Sequence, residues 1–262
     1  MSISSSARIA SNSLVAPGAT LGANVRIGPF CIISADVVIG EGTTVGAYSV
    51  INGFTTIGHD NHIGLFCSLG EVNQDLKYAA EPTTLVIGDR NQIGKNATLH
   101  RGTVQGRSCT LIGNDNRLLN NVHIGHDCVV GNNTIIRDNS GLAGHVELGD
   151  GVDVGFMCAI HQFCVLGAHV KINSQSGVVQ DIPPFVMAGG NHARPLAIFA
   201  ESETFLSLTI SQRAFVHEMY AQLYHQSLPI DEVKRSLTLQ DDTMIASVFA
   251  WFFARSKRGI IR

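Results

Sequence analysis

Aliphatic residues recur along this chain at every sixth position. The series Ile9, Val15, Leu21, Ile27, Ile33, Ile39, Val45, Ile51, Ile57, Ile63 and Leu69 runs without a miss. It resumes at Ile87, Ile93 and Leu99. From Ile112 it continues through Leu118, Ile124, Val130, Ile136, Leu142, Leu148, Val154, Ile160, Leu166 and Ile172 to Val178. An amphipathic helix needs a period near 3.6 and a half-buried strand a period of two. A period of six fits neither and predicts a parallel β-helix, in which three hexads close one triangular coil. Equivalent environments then return every eighteen residues. The residue after the aliphatic is often glycine, as at Gly22, Gly28, Gly40, Gly58, Gly88, Gly113 and Gly167, which predicts corners that need backbone freedom.

The repeat is broken twice, by inserts near 71–84 and 101–110, and it ends near Pro183-Pro184. Beyond Ala200 the spacing turns helical and predicts three helices, Glu203–Gln226, Ile230–Leu239 and Asp242–Arg258, with Trp251, Phe252 and Phe253 as packing residues. The chain therefore divides into an all-β β-helix over residues 1–190 and a small α-helical domain over 191–262. Cys31, Cys67, Cys128, Cys158 and Cys164 each stand two places before a stepped aliphatic. That slot also holds Ala19, Val25, Ala97 and Ser140, so these cysteines are expected inside the barrel. Cys109 falls in a break and is expected to be exposed.

Composition narrows the function. The formal net charge is -3, with no basic excess to suggest nucleic acid as a partner. No run of about 18 apolar residues predicts a membrane span. Met1 to Ala10 has neither a basic region nor an apolar one, so no signal peptide is expected. The six cysteines form no CxxC pair, which suits a reduced, cytoplasmic chain.

Stacking the coils reveals a cluster. Ile124, Leu142, Ile160 and Val178 share one vertical column, and treating the inserts as bulges adds Leu99 and Leu69. Beside that column stand His100, His123, His126, His145 and His161, and both inserts leave the barrel from it. Successive rungs lie about 4.8 Å apart. Five imidazoles and two long loops thus converge on one corner. Such a corner can hold a metal, since neutral imidazole is a common ligand, or supply a general base suited to neutral pH. Asp127 follows His126 and is a candidate to orient it, although consecutive side chains diverge on an extended rung.

Longer motifs add a resemblance. Gly70-Glu71-Val72-Asn73-Gln74-Asp75-Leu76-Lys77-Tyr78 with Glu81-Pro82-Thr83, and His100-Arg101-Gly102-Thr103-Val104-Gln105, resemble the UDP-N-acetylglucosamine O-acyltransferases of lipid A synthesis. So do His123-Ile124-Gly125-His126-Asp127-Cys128, Leu142-Ala143-Gly144-His145, His161-Gln162-Phe163-Cys164 and the terminal Phe253-Ala254-Arg255-Ser256. The resemblance covers nearly the whole chain and implies a left-handed β-helix of the hexapeptide transferase type. It implies a cytoplasmic homotrimer with sites between subunits, and transfer of a 3-hydroxyacyl chain from acyl carrier protein to the glucosamine 3-hydroxyl of UDP-N-acetylglucosamine. It carries the catalytic base to His126, its partner to Asp127 and the oxyanion donor to the Gly144 N–H. Sugar and acyl contacts fall on Asp75, Lys77, His123, His145, His161 and Gln162. The end of the acyl groove, where chain length is set, falls on Ser174 and His192. No metal and no cofactor are implied.

One stretch departs from the family pattern. Where the family carries cations that contact the nucleotide, residues 196–207 carry none, and they include Glu201 and Glu203. Arg194 and Arg213 are candidates to compensate. A divergent paralogue with another acceptor, a relative that only binds acyl carriers, and a metal enzyme resembling γ-class carbonic anhydrases are the competing readings. Arg255, Lys257, Arg258 and Arg262 crowd the last eight residues without an acid and are candidates to dock an acidic acyl carrier.

Overall fold

A computed structural model describes residues 2–237 and 244–262. Over these residues the chain winds as a left-handed parallel β-helix of three sheets, with nine, eleven and nine strands among the described residues, followed by a small group of helices. Most rungs are only two residues long. The first residue points out and the second, the stepped aliphatic, points in, as in Arg26–Ile27 and His62–Ile63. The inward residues are the core, and almost all of them are fully buried. Leu69 pairs with Leu99, Leu99 with Ile124, Ile124 with Leu142, and Ile160 with Val178. The inserts are therefore looped out between rungs that keep their register, and both depart from the same face of the barrel.

The corner glycines have a different cause from the one their spacing suggests. Gly22, Gly28, Gly40, Gly58, Gly88, Gly113 and Gly167 are not among the residues of positive φ. What they supply is room: a Cβ at Gly40 would stand 2.6 Å from the carbonyl of Gly58 on the next coil. The left-handed conformation belongs instead to a residue two places further on, such as Asn24, Asp60 or Asp127. Asn and Asp tolerate it well, and packing between coils enforces it where Phe30, Tyr48 or His145 occupies the position.

The five in-register cysteines are buried. Cys109 is half-buried rather than exposed, because it opens the strand Cys109–Ile112, which extends the rung before Ile112. A strand not foreseen from the repeat, Arg194–Ile198, runs antiparallel to Val186–Gly189 and continues the eleven-stranded sheet past residue 190.

Helices α1 (Glu203–Ser207), α2 (Ile210–Tyr220), α3 (Ile230–Leu237) and α4 (Met244–Arg255) follow. The single helix expected over 203–226 is divided at Leu208-Thr209, because Thr209 starts a new helix with a full capping box to Gln212. The expected end at Leu239 and start at Asp242 lie outside the described residues. Helix α4 stops at Arg255 rather than Arg258, because the N–H groups of Lys257 and Arg258 turn to the carboxylate of Asp181. Phe205, Val216, Phe249, Phe252 and Phe253 form a second core that packs on Val165 and Phe185 of the barrel. Ile261 re-enters the barrel core. Among the described residues no helix is long and apolar enough to cross a membrane.

Candidate active site

The column of histidines becomes one built corner. His123 points outward from the rung His123–Ile124, and Gly125, His126 and Asp127 form the turn before the next rung. Asp127 takes a φ of 60°. That left-handed turn brings two consecutive side chains onto the same side, and His126 Nδ1 lies 2.9 Å from Asp127 Oδ2. The divergence expected of neighbours on an extended rung does not apply at a corner.

The second insert exists, in structural terms, around this carboxylate. Asp127 is 1% exposed. It accepts bonds from the Thr103 hydroxyl at 2.7 Å, the Thr103 N–H at 3.0 Å and the Arg107 N–H at 2.9 Å. Gly106 passes so close that a Cβ there would stand 2.5 Å from the carboxylate. Burial pushes the Asp127 pKa up, but the donors from His126 and Thr103, with the His145 imidazole, outweigh it and hold the group below the usual carboxylate range. An ionised carboxylate has no proton to give. His126 must therefore donate from Nδ1, which leaves the lone pair on Nε2.

Gly144, one coil on, lies directly against this ring. A Cβ at 144 would stand 2.5 Å from both Cε1 and Nε2 of His126. Among the described residues the Gly144 N–H has no acceptor, while its carbonyl accepts from Phe163. His145 meets His126 edge-on with centroids 4.9 Å apart, stacks on Phe163 at 4.5 Å, and places Nε2 3.8 Å from Asp127 Oδ2. Burial lowers the His145 pKa, and the charges of Asp127 and Asp75 oppose this only in part. The charge of Asp75 is felt here because the first insert folds back toward the corner.

That insert is tied down at several points. His100 donates from Nδ1 to the Val72 carbonyl at 2.8 Å, and Asn73 donates to the Gly102 carbonyl at 3.0 Å. Buried Arg101 donates to the Tyr78 hydroxyl at 2.9 Å. Within the loop the Asp75 carboxylate accepts from the Lys77 N–H, and the Lys77 side chain is exposed. His123 is hydrogen-bonded to Thr98 Oγ1 at 2.9 Å, and burial, with His100 nearby, lowers its pKa.

The remaining predicted residues lie further away. Gln162 occupies the coil after Gly144, beside an exposed His161 whose Nδ1 bonds the Gln162 carbonyl. Ser174 stands on the opposite corner of the same sheet, where its hydroxyl accepts from the Phe156 N–H. His192 is exposed at the last coil, where the Ala193 N–H donates to the Gly177 carbonyl. Between His123 and this end, the outward positions of the sheet are Gly141, Ala159 and Gly177. The face between His126 and Ser174 thus carries small residues at its outward positions.

Thr103, Gly106, Arg107 and Thr110, whose hydroxyl accepts from the Asp127 N–H, were not singled out by sequence reasoning. The Arg101-Gly102-Thr103 motif was the available signal, but only the loop conformation reveals what its donors face. His126, Asp127 and His145 also place ligand-type atoms within 4.8 Å of one another. The Asp127 carboxylate is already committed to His126, Thr103 and Arg107, so a cation there would have to displace hydrogen bonds from it. At the altered segment, Arg194 donates to the Arg262 carbonyl, and Arg213 donates to the carbonyls of Leu206 and Leu208.

Two family models match the chain: the bacterial transferase hexapeptide, six repeats, over residues 109–144, and domain 2 of the UDP N-acetylglucosamine O-acyltransferases over 181–261. Among solved structures, LpxA from Acinetobacter baumannii is 39% identical, with 97% of this chain and 99% of that one covered and a TM-score of 0.93. The UDP-N-acetylglucosamine acyltransferase from Campylobacter jejuni is 31% identical, with 97% and 99% covered and a TM-score of 0.89. The Francisella novicida enzyme is 31% identical, with 99% and 94% covered and a TM-score of 0.86.

Proposed function

This chain belongs to the UDP-N-acetylglucosamine O-acyltransferase family, and from that premise we propose that it transfers a 3-hydroxyacyl chain from acyl carrier protein to the 3-hydroxyl of UDP-N-acetylglucosamine, the first step of lipid A synthesis, with His126 as general base. The observation that carries the reading is the hydrogen-bonded Asp127 carboxylate, which orients His126 with Nε2 as the basic atom. Nε2 takes the proton of the acceptor hydroxyl as its oxygen attacks the thioester carbonyl. The carbonyl electrons move onto oxygen, where the Gly144 N–H is the proposed donor to the oxyanion. Collapse forms the ester and expels the carrier thiolate, which recovers the proton from the His126 imidazolium.

In this reading Asp75, Lys77, His123, His145, His161 and Gln162 contact the sugar and the proximal acyl chain, and the face toward Ser174 and His192 receives the chain's end. His123 and His145, both kept neutral near pH 7 by burial, are suited to hydrogen-bond hydroxyls. The reading further takes the enzyme to be a cytoplasmic homotrimer without cofactor, with the β-helix at 1–190, the added strand Arg194–Ile198, and the helical domain after it. A second reading, a paralogue with a different acceptor, is favoured by one observation: Arg213 and Arg194 are turned onto backbone carbonyls beside the cation-free segment 196–207. Calorimetric titration with UDP-N-acetylglucosamine, followed by transfer assays with 3-hydroxyacyl carrier protein, separates the two. Saturable binding and ester product support the first reading, and acyl transfer without binding of this acceptor supports the second.

A further inference from the structure

Cations from two distant stretches of chain converge on a cavity of about 690 Å³ beside the histidine corner, lined by Arg107, Asp127, His145, Arg255, Lys257 and Arg258. Both walls are built. Asp181, fully buried, accepts from the Val165 N–H, the Ser256 hydroxyl and the N–H groups of Lys257 and Arg258 at 2.8–3.0 Å. This carboxylate clamps the segment after α4 onto the barrel, and Arg258 Nε adds a bond to the Val179 carbonyl. Opposite, the backbone of Arg107 is held by Asp127. Arg255 lies over the Trp251 ring at 4.6 Å.

The other acid lining this cavity besides Asp127 is Glu147, which bridges Arg107 at 2.7 Å and Arg255 at 3.1 Å. Four cations thus face two carboxylates, one of which already serves His126. Arg262 does not belong to the group, since it donates to the carbonyls of Leu223 and Leu228. Three of the terminal cations line this partly open cavity, and paired arginines are the usual partners of phosphate oxygens.

We propose that this cavity binds the phosphate-bearing part of a substrate, with Glu147 as the internal carboxylate that the ligand displaces from Arg107 and Arg255. The proposal rests on the acyl-transfer reading of the His126 corner and deepens it. The phosphate has two possible sources, the phosphodiester of the pantetheine arm on the carrier and the diphosphate of a nucleotide sugar.

Inorganic pyrophosphate, titrated by calorimetry at low salt, tests the site without requiring turnover. Arg107→Ala and Lys257→Ala should each weaken binding roughly tenfold, the worth of one charge-assisted contact. Glu147→Gln should tighten it several-fold, a gain that loss of structure does not produce. Absent binding, or binding indifferent to all three changes, overturns the proposal whether or not the protein transfers acyl groups. Steady-state kinetics then name the source. A raised KM for 3-hydroxyacyl-phosphopantetheine in Arg107→Ala, with no change for the phosphate-free acyl-pantetheine, assigns the carrier arm. A raised KM for UDP-N-acetylglucosamine assigns the diphosphate, and the absence of both effects contradicts the proposal.

Discussion

His126 and Asp127 are adjacent in sequence and paired in space, Nδ1 to Oδ2 at 2.9 Å, because Asp127 occupies the left-handed position of a β-helix corner. The same corner aims the Asp127 carboxylate into the second insert, whose Thr103 and Arg107 supply three further donors. Asp127→Asn keeps the shape but turns an amide N–H₂ toward donors. Turnover should fall by roughly two to four orders of magnitude, as expected when a base loses its tautomer. Stability should fall by about 1–3 kcal/mol from the frustrated hydrogen bonds. Single-turnover kinetics and thermal melts check the two effects separately. Undiminished turnover would show that Asp127 does not orient the base.

Gly144 gives a steric prediction. Since a Cβ there would stand 2.5 Å from the His126 ring, Gly144→Ala should displace the imidazole and lower kcat by at least about a hundredfold. The N–H is retained, so the loss would report the ring's position. A variant within threefold of the parent would mean that the ring moves without consequence.

Acid should weaken the fold before it reaches the carboxylates. Burial lowers the pKa values of His123, His145 and His169 in the folded state. Their stabilising contribution is complete above the unfolded value near 6.5 and is lost as pH falls through the depressed folded values. Asp127, also depressed, contributes above its unfolded value near 4 and loses that contribution only below it. The melting temperature should therefore drop between pH 7 and 5, and His169→Asn combined with His145→Asn should flatten that slope. A parent melting temperature constant over this range would contradict the assignment.

Ser174 should tune acyl-chain length, since it stands at the far side of the face whose outward positions are Gly141, Ala159 and Gly177. The preference should be graded, because one methylene in an apolar pocket is worth only about 1–3 kcal/mol. Turnover with ten-, twelve- and fourteen-carbon 3-hydroxyacyl carriers should favour the shorter donors, and Ser174→Gly should shift the order upward. A fourteen-carbon optimum unchanged by the substitution would remove Ser174 from this role.

Much of this architecture was legible because a β-helix converts sequence period directly into spatial stacking. Leu69, Leu99, Ile124 and Leu142 could be placed in one column from spacing alone, and the histidine cluster followed. Features off the period were not legible. The strand Arg194–Ile198 pairs as a hairpin outside the repeat. The pairing of His126 with Asp127 depends on one positive φ, and the donors from Thr103 and Arg107 depend on how a loop closes. The corner glycines were visible, but their cause, contact between coils, appears only in three dimensions.

The most direct measurement is the rate at which the parent and His126→Ala transfer a 3-hydroxyacyl group from acyl carrier protein to UDP-N-acetylglucosamine, with folding checked by thermal melting. A parent that forms the ester, and a folded variant slower by roughly two to four orders of magnitude, is the result predicted for a general base. A folded variant within threefold of the parent would contradict the account.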